Sequence, residues 1–274
     1  MPKIDLHMHS HYSDGQDSPE YLDNLIEKEG GSLFSITDHN YIYPKIKELV
    51  VRSKANFLQG IEVSSMDRVT SQSLHILGYS NNFNISALNE ALYPVVNGYN
   101  ERAKMIIKEL NSKFNCDFSF ETIKKELFSV CVSRNVLAMR LVEFTGNKMS
   151  IADAVKECFV QEENSWMPDA SEVIKLINNC GGVAVLAHPG NLFDKIDLPE
   201  LVSRLIDVGL GGIEVYYARH SQETIKELSS IAMRYDVLMT GGSDWHGKDL
   251  SKFAPGVEVS DIIYNMCISR FKTN

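Results

Sequence analysis

Two short motifs near opposite ends of this 274-residue chain carry side chains of the types that commonly bind metal ions in proteins. His7-Met8-His9 follows an apolar segment at the start of the chain, and Asp244-Trp245-His246 follows another one close to its end. On extended backbone, residues i and i+2 point to the same side, so the outer side chains of each motif can bind one ion. One such pair arises easily by accident. A second pair with the same geometry favours a metal site.

Five more metal-binding side chains occupy comparable positions. His39 and Glu62 end the second and third predicted strands, and His188 ends a later one. Asp14 lies in the loop after the first motif, and His75 lies near the start of its strand. The candidate metal ligands are therefore nine in number: His7, His9, Asp14, His39, Glu62, His75, His188, Asp244 and His246.

The elements that must position these side chains follow a simple order. Short apolar segments alternate with helix-like segments, which is typical of a parallel sheet covered by helices. In an α/β barrel of this kind, the C-terminal ends of the strands open onto one face, and that face holds the site. The nine candidates could therefore converge there. The predicted strands are residues 3–6, 33–37, 57–63, 74–79, 183–187, 212–217 and 237–240.

The alternation stops between residues 83 and 166. Helix-like segments follow one another there, at residues 88–114, 120–130, 135–144 and 151–160, and Pro94 predicts an interruption or kink in the first of them. Barrels grow by insertions in their loops. We therefore expect a helical insertion, residues 83–166, above a barrel formed by residues 1–82 and 167–274.

Nine nitrogen and oxygen ligands are too many for one zinc site, which takes three or four protein ligands. They suit two or three divalent ions, with Glu62 as the best bridge because a carboxylate offers two oxygens. No cysteine lies beside these motifs, so the ligands permit Zn, Mn or Fe without choosing among them. Neighbouring metal ions activate a water and clamp both oxygens of an in-line displacement. Phosphate esters are the substrates that benefit most from this chemistry.

The overall charge limits the partners. Lys and Arg total 27 against 36 Asp and Glu, which gives a formal net charge of −9. This balance argues against an extended nucleic-acid surface and against binding to an anionic membrane. The sequence has no signal-peptide pattern, no apolar stretch near the roughly 20 residues of a membrane helix, and five widely spaced cysteines. These features predict a cytoplasmic protein with reduced cysteines. The sequence leaves the oligomeric state open.

Five motifs resemble those of the PHP family of metal-dependent phosphoesterases, named for polymerase and histidinol phosphatase. The resemblance covers residues 3 to about 247 and is strongest to small bacterial phosphatases acting on nucleotides, including nucleoside 3′,5′-bisphosphate phosphatases. It implies a distorted (β/α)7 TIM-like barrel with a trinuclear metal centre. The motifs are Asp5-Leu6-His7-Met8-His9-Ser10, Ile36-Thr37-Asp38-His39, Gly60-Ile61-Glu62-Val63-Ser64, Leu186-Ala187-His188-Pro189 and Gly242-Ser243-Asp244-Trp245-His246-Gly247.

The resemblance also implies residue roles. Arg134, in the predicted insertion, and His220, after a strand, match positions that approach the substrate phosphate. A guanidinium presents paired donors to a phosphate, and His220 could donate a hydrogen bond or protonate the leaving oxygen. The family usually has Pro-His after this arginine, whereas the chain has Asn135-Val136. The implied metal groups are His7, His9, Glu62 and Asp244 for the first ion, Glu62, His75 and His188 for the second, and Asp14, His39 and His246 for the third.

The roles of several residues beside these motifs are less well defined by the sequence. Glu214, in a second Gly-Ile-Glu-Val tetrapeptide, could be a ligand, a partner behind a ligand histidine or a structural acid. Asp38 alternates to the other strand face, so we expect a structural role. Tyr216 and Tyr217 favour packing over stacking on a base. His11 alone among the eight histidines has no assigned role.

The leading hypothesis is a metal-dependent phosphatase acting on a small phosphorylated substrate, a nucleotide or nucleoside bisphosphate. Within the same family, the alternatives are a histidinol-phosphate phosphatase and a 5′-3′ exonuclease on short RNA or DNA oligonucleotides. An amidohydrolase also opens with H-x-H on an α/β barrel, but Glu62 and the D-x-H motif count against it. A domain that keeps metal only for structure is the remaining alternative, and the intact nine-residue set argues against it.

Overall fold

The computed structural model describes residues 1–160 and 165–272 and contains one eight-stranded sheet. Its strands run in the order β7-β6-β5-β4-β3-β2-β1-β8. The apolar segments predicted as strands are all strands, and β3 extends beyond its predicted end at residue 63. The strands are β1 (Lys3–Asp5), β2 (Gly31–Ile36), β3 (Asn56–Asp67), β4 (Gln72–Ser80), β5 (Val183–Leu186), β6 (Gly212–Tyr217), β7 (Leu238–Gly242) and β8 (Val257–Glu258).

The two ends of the sheet meet just beyond β1 and β7. The amide of Leu6 donates to the carbonyl of Gly241 at 2.9 Å, and the amide of Asp244 donates to the carbonyl of His7 at 2.8 Å. Met8 and Trp245 continue this contact as a parallel bridge. The short β8 pairs with β1 on the edge away from β2 and runs antiparallel to it. The sheet is therefore a nearly closed, distorted α/β barrel, which confirms the predicted fold class.

One strand runs against the predicted direction. The alternation predicts a wholly parallel sheet, but β4 is antiparallel to both β3 and β5. Only residues 68–71 separate β3 from β4, which is long enough for a hairpin and too short for the crossover that a parallel pair needs. The reversal brings the start of β4 to the end of the barrel where the other strands finish.

Ten α-helices are present in the described residues. Helix α1 begins at an N-cap, with the Ser18 side chain accepting from the amide of Tyr21 and with Pro19 in its first turn. The helices are α1 (Pro19–Lys28), α2 (Ile46–Leu49), α3 (Ile85–Phe114), α4 (Phe120–Glu126), α5 (Arg134–Phe144), α6 (Ile151–Glu157), α7 (Ala170–Asn179), α8 (Leu198–Asp207), α9 (Gln222–Arg234) and α10 (Asp261–Lys272).

Helix α3 connects the barrel to the helices that follow it. Of the interruption or kink predicted at Pro94, the interruption is wrong, because the helix continues through this residue; the kink stays a prediction. The N-terminal half of α3, including Leu92 and Val95, packs in the main core with the strands. Its C-terminal half, including Ile106, packs with α5 and α6 in a second apolar cluster. The boundaries of the insertion at residues 83 and 166 stay a prediction, and residues 161–164 lie outside the described residues.

The barrel wall is closely packed and apolar. Ile4, Phe34, Ile61, Leu77 and Ile213 are completely buried, as expected for strands covered by helices on their outer faces. Within the described parts of the chain, no helix combines the length and the apolar character needed to cross a membrane.

A close contact of α3 with Trp166 leads to a test of this packing. A Cβ on Gly98 would lie 2.2 Å from Cδ2 of Trp166. In an open helix, Gly→Ala stabilises by about 1 kcal/mol, but overpacking costs about 1–3 kcal/mol. We expect Gly98→Ala to lower the free energy of unfolding, measured by urea denaturation. In a Trp166→Ala background the same substitution should raise it. An equal effect in both backgrounds would exclude the ring as the cause.

Candidate metal centre

Glu62 lies at the middle of the nine candidate ligands. It is 1% exposed and comes from the central part of β3. Each of its two oxygens faces imidazole nitrogens, so five histidines surround one carboxylate. Oε1 lies 3.3 Å from Nε2 of His7, 2.8 Å from Nδ1 of His75 and 3.2 Å from Nε2 of His188, and Oε2 lies 3.2 Å from Nε2 of His9 and 3.1 Å from Nδ1 of His39.

The other two acids face the same cluster from the side of His246. Oδ1 of Asp244 lies 3.6 Å from Nε2 of His7 and 3.4 Å from Nε2 of His9. It also lies 3.4 Å from Nδ1 of His246. Oδ1 of Asp14 lies 3.3 Å from Nε2 of His246 and 3.6 Å from Nε2 of His39. The structure thus brings all nine predicted residues together.

The reversal of β4 explains the position of His75. This histidine lies at the start of its strand, where a parallel strand would place it at the opposite end of the barrel. Because β4 is antiparallel, His75 is paired with Ser64, two residues beyond Glu62 on β3. The residue that fitted the predicted barrel least well therefore contacts the central carboxylate directly.

The donor atoms form three groups in which all atoms lie within 4.8 Å of one another. One group is identical to the set that the resemblance implies for the second metal ion. The other two differ from the implied sets. His9 joins the group implied for the third ion. Asp244, implied for the first ion, belongs to no group among the described residues. The groups are His7, His9 and Glu62; Glu62, His75 and His188; and His9, Asp14, His39 and His246.

Four buried donor atoms in these groups have no hydrogen-bond partner among the described residues: Nε2 of His7, Nε2 of His9, Oδ1 of Asp14 and Nδ1 of His39. Buried polar atoms are nearly always partnered, so four such atoms facing one another indicate that something else binds between them. Imidazole and carboxylate ligands suit divalent ions such as Zn, Mn and Fe. The residues present therefore fit metal ions at this site.

The three acids are held in the ionised form that metal binding requires. Burial would raise the pKa of Glu62, but the surrounding histidines, His75 first, hold that pKa well below its usual value. Burial would also raise the pKa of Asp244, but the neighbouring histidines, His246 first, hold that pKa well below its usual value. The pKa of Asp14 is also lowered, by neighbouring histidines acting against burial. Burial lowers the pKa of His39 to about 4, which keeps this imidazole neutral.

Glu214 lies behind two of the histidines. It is completely buried; its Oε1 is 3.0 Å from Nδ1 of His7, and its Oε2 accepts from the amide of His188 at 2.7 Å. His188 has a φ of 32°, in the left-handed region that few side chains adopt. Among the roles left open by the sequence, this geometry favours a partner that orients ligand histidines.

Two further buried acids fix the loops that carry ligands. Asp38 accepts from the amide and hydroxyl of Ser10 at 2.7 and 2.6 Å and from the hydroxyl of Ser13 at 2.6 Å. Asp5 accepts from the amide and hydroxyl of Ser243 at 3.0 and 2.6 Å. Burial raises the pKa of Asp5 to about 6, against these hydrogen bonds. Both acids therefore hold backbone next to a ligand, as expected for Asp38.

The two residues assigned to substrate lie outside the ligand groups. His220 donates from Nδ1 to the carbonyl of Val215 at 3.0 Å and accepts at Nε2 from the amide of Gly190 at 3.2 Å. Burial lowers the pKa of His220, in keeping with a neutral ring. Arg134 is the first residue of α5, and its guanidinium carbon lies 5.3 Å from the ring centre of Phe159.

Sequence reasoning missed two contacts with the acids of the cluster. The side-chain amide of Asn135 donates to Oδ2 of Asp14 at 2.9 Å, so helix α5 of the predicted insertion touches a candidate ligand. The hydroxyl of Tyr217 donates to Oδ2 of Asp244 at 3.0 Å. The departure from Pro-His after Arg134 was a signal for the first contact. Nothing in the spacing signalled the second.

Comparisons with known proteins agree with this geometry. No family model matches the chain. A phosphoribosyl 1,2-cyclic phosphate 1,2-diphosphodiesterase of Eggerthella lenta is 28% identical over 259 residues, 89% of this chain and 94% of that protein. The 5'-3' exoribonuclease Rnm of Escherichia coli is 30% identical over 253 residues, 88% of this chain and 84% of that protein. A 3',5'-nucleoside bisphosphate phosphatase of Chromobacterium violaceum is 28% identical over 260 residues, 90% and 88% of the two chains.

A solved structure supports the fold. A protein from Bifidobacterium adolescentis, assigned as a metal-dependent phosphoesterase, superposes with a TM-score of 0.82 at 24% identity and covers 98% of this chain and 96% of its own. At this identity, its likeness shows the fold alone. The family follows from the 30% identical relative, which aligns over most of both chains, and from the motifs around the nine clustered residues. The chain belongs to the PHP family of metal-dependent phosphoesterases.

Proposed function

We propose that the protein hydrolyses a phosphomonoester of a nucleotide or nucleoside bisphosphate by metal-activated hydroxide attack at a trinuclear centre. The observation that carries this proposal is the buried carboxylate of Glu62 with five imidazoles around it and unpartnered donor atoms beside it. The proposed ligands are the nine clustered residues, divided among the ions as the resemblance implies. The three groups of donor atoms support this division in outline, with His9 shared between two of them.

Bound divalent ions would supply an activated water and neutralise the phosphate oxygens. The chain's own residues hold this arrangement in place. Glu62 would be a ligand in two of the groups, and Glu214 fixes the ring of His7 so that Nε2 faces the cluster. Such partners keep a ligand in one tautomer and orientation.

Arg134 and His220 remain our proposed substrate contacts. Arg134 would approach the phosphate from the start of α5, next to Asn135, which touches the cluster. His220 would have to release the amide of Gly190 and take up a second proton before Nε2 could donate to a leaving oxygen. In the present geometry it holds the turn that follows His188.

The relatives support the nucleotide class of substrate. Their names specify a nucleoside bisphosphate, RNA and a phosphoribosyl cyclic phosphate, which all contain phosphorylated ribose. The second candidate is 5′-3′ exonuclease activity on short oligonucleotides, favoured by the exoribonuclease relative. The net charge of −9 argues for short rather than long polymers. A panel of 3′,5′-bisphosphonucleotide, short RNA, cyclic phosphate and histidinol phosphate tests the proposal, with phosphate release as the readout for the monoesters and chromatography of the products for the RNA and the cyclic phosphate.

Removing one ligand should remove activity without unfolding the barrel. We expect His9→Ala and Asp244→Ala to lower kcat by more than about 100-fold, since the loss should exceed that of an orienting partner. Metal content by elemental analysis should fall, while circular dichroism stays unchanged. Asp249→Ala, at an exposed acid nearby, is the control. Full activity in either ligand variant would contradict the metal mechanism.

Metal removal should also be visible without any substrate. Ions that bind only the folded state stabilise it by about 4 kcal/mol when their free concentration is about 1,000-fold above Kd. For a chain of this size, each kcal/mol shifts Tm by about 2–4 °C. We expect chelation to lower Tm in thermal scans and added Mn²⁺ or Zn²⁺ to restore it. The same Tm with chelator and with metal would argue against bound ions.

The role proposed for Arg134 is open to a kinetic test. Arg134→Ala should raise KM about tenfold or more with a smaller change in kcat, because an ionic contact to the phosphate would be lost. Arg134→Lys should recover only part of the affinity, since lysine lacks the planar pair of donors. Arg234→Ala, at an exposed position on α9, is the matched control. An unchanged KM in Arg134→Ala would remove this residue from the site.

A further inference from the structure

Four aromatic rings lie beside the ligand groups on the side of Asp14. The ring of His11 is stacked on that of Phe128, with centroids 4.4 Å apart and planes 16° from parallel. Tyr12 is stacked on Tyr43, with centroids 4.0 Å apart and planes 9° from parallel. His11 and Tyr12 meet edge to face at 4.7 Å, so the two stacks form one continuous set. We call these four residues the aromatic platform.

Phe128 is the exposed end of this platform. Its side chain is 68% exposed although one ring face is stacked on His11, so the opposite face is turned to solvent. It follows α4, whereas His11 lies in the loop that carries Asp14. Large apolar rings at such positions are informative when they line a site.

A crevice beside the platform reaches Asp14, one of the nine candidate ligands. Its volume is about 220 Å³, and both Phe128 and Asp14 line it, with His11 and Met139. The roughly 300–1,000 Å³ of a typical ligand pocket is larger. The crevice therefore suits a single ring system attached to a group bound elsewhere. The carboxylate of Asp14 connects that ring site to the groups proposed to hold metal ions.

The charges of the crevice decide which part of a nucleotide it suits. Glu126 and Glu143 line it together with Asp14, and Arg140 is the basic residue among them. Arg140 is already paired with both glutamates. Three acids against one paired base disfavour a phosphate there. An uncharged, flat group is favoured instead.

The tyrosines of β6 do not offer a comparable surface. Tyr217 is 3% exposed, and its hydroxyl is bonded to Asp244. Tyr216 is partly buried against the main core. The expectation that both pack rather than stack on a base agrees with these contacts.

We propose that the aromatic platform binds the nucleobase of the substrate, with the base stacked on the exposed face of Phe128 while the scissile phosphate lies at the metal ions. The inference rests on the proposed function, whose nucleotide substrate it specifies further. Stacking on an aromatic ring is tolerant of base identity. It gives the unassigned His11 a place in substrate binding, as the support on which Phe128 rests.

The test compares substrates with and without a base. Phe128→Ala should raise KM for a 5′-mononucleotide or 3′,5′-bisphosphonucleotide by about tenfold, within the range found for removal of one stacking partner. KM for ribose 5-phosphate should stay unchanged. Phe128→Tyr should retain wild-type KM because it keeps the ring. Phe144→Ala, which removes a half-exposed ring at the end of α5, is the control.

The outcomes separate this inference from the proposed function. An equal rise in KM for both substrates, or no rise for the nucleotide, would overturn the inference while leaving phosphatase activity intact. If no phosphoester is hydrolysed, the proposed function fails, and calorimetry with adenosine 5′-monophosphate still tests the platform. Weaker binding to Phe128→Ala than to wild type would then support stacking. Equal binding would contradict it.

Discussion

The structure depends on one buried carboxylate and the charge that must compensate it. Glu62 is 1% exposed in the middle of a strand, and a buried charge is costly unless it is paired. Asp14 and Asp244 bring two more acids to the same face. Divalent ions between the three carboxylates would supply compensating positive charge. The acidic balance of the whole chain is therefore compatible with a phosphate substrate, because the positive charge would come mainly from metal.

The sequence indicated all nine candidate ligands, and most of them follow a simple local rule, at or just after the end of a predicted strand. His75 did not follow the rule, because an apolar pattern carries no information about strand direction. The gap between the predicted strands 57–63 and 74–79 could have revealed the hairpin, because it is too short for the crossover that a parallel pair needs. The continuity of α3 through Pro94 was equally hidden, since packing on both cores overrides the local preference.

Contacts between distant side chains could not be predicted in the same way. Asn135 and Asp14 are 121 residues apart, and Glu214 and His7 are 207 residues apart. Spacing defines which face of an element a residue occupies, but it does not define which element lies opposite. The positions of Arg134 and His220 came from resemblance alone. His220 bonds to backbone at both nitrogens, which the resemblance did not imply.

The barrel and the helices differ in the space that they leave for a substrate. The strand ends around Glu62 are occupied by side chains that face one another, so little of this surface is left to recognise the alcohol part of a substrate. In this chain, α5 touches Asp14 through Asn135, and Phe128 lines the same crevice. The proposed metal chemistry would then lie in the barrel, whereas Phe128, the proposed contact to the base, lies between α4 and α5.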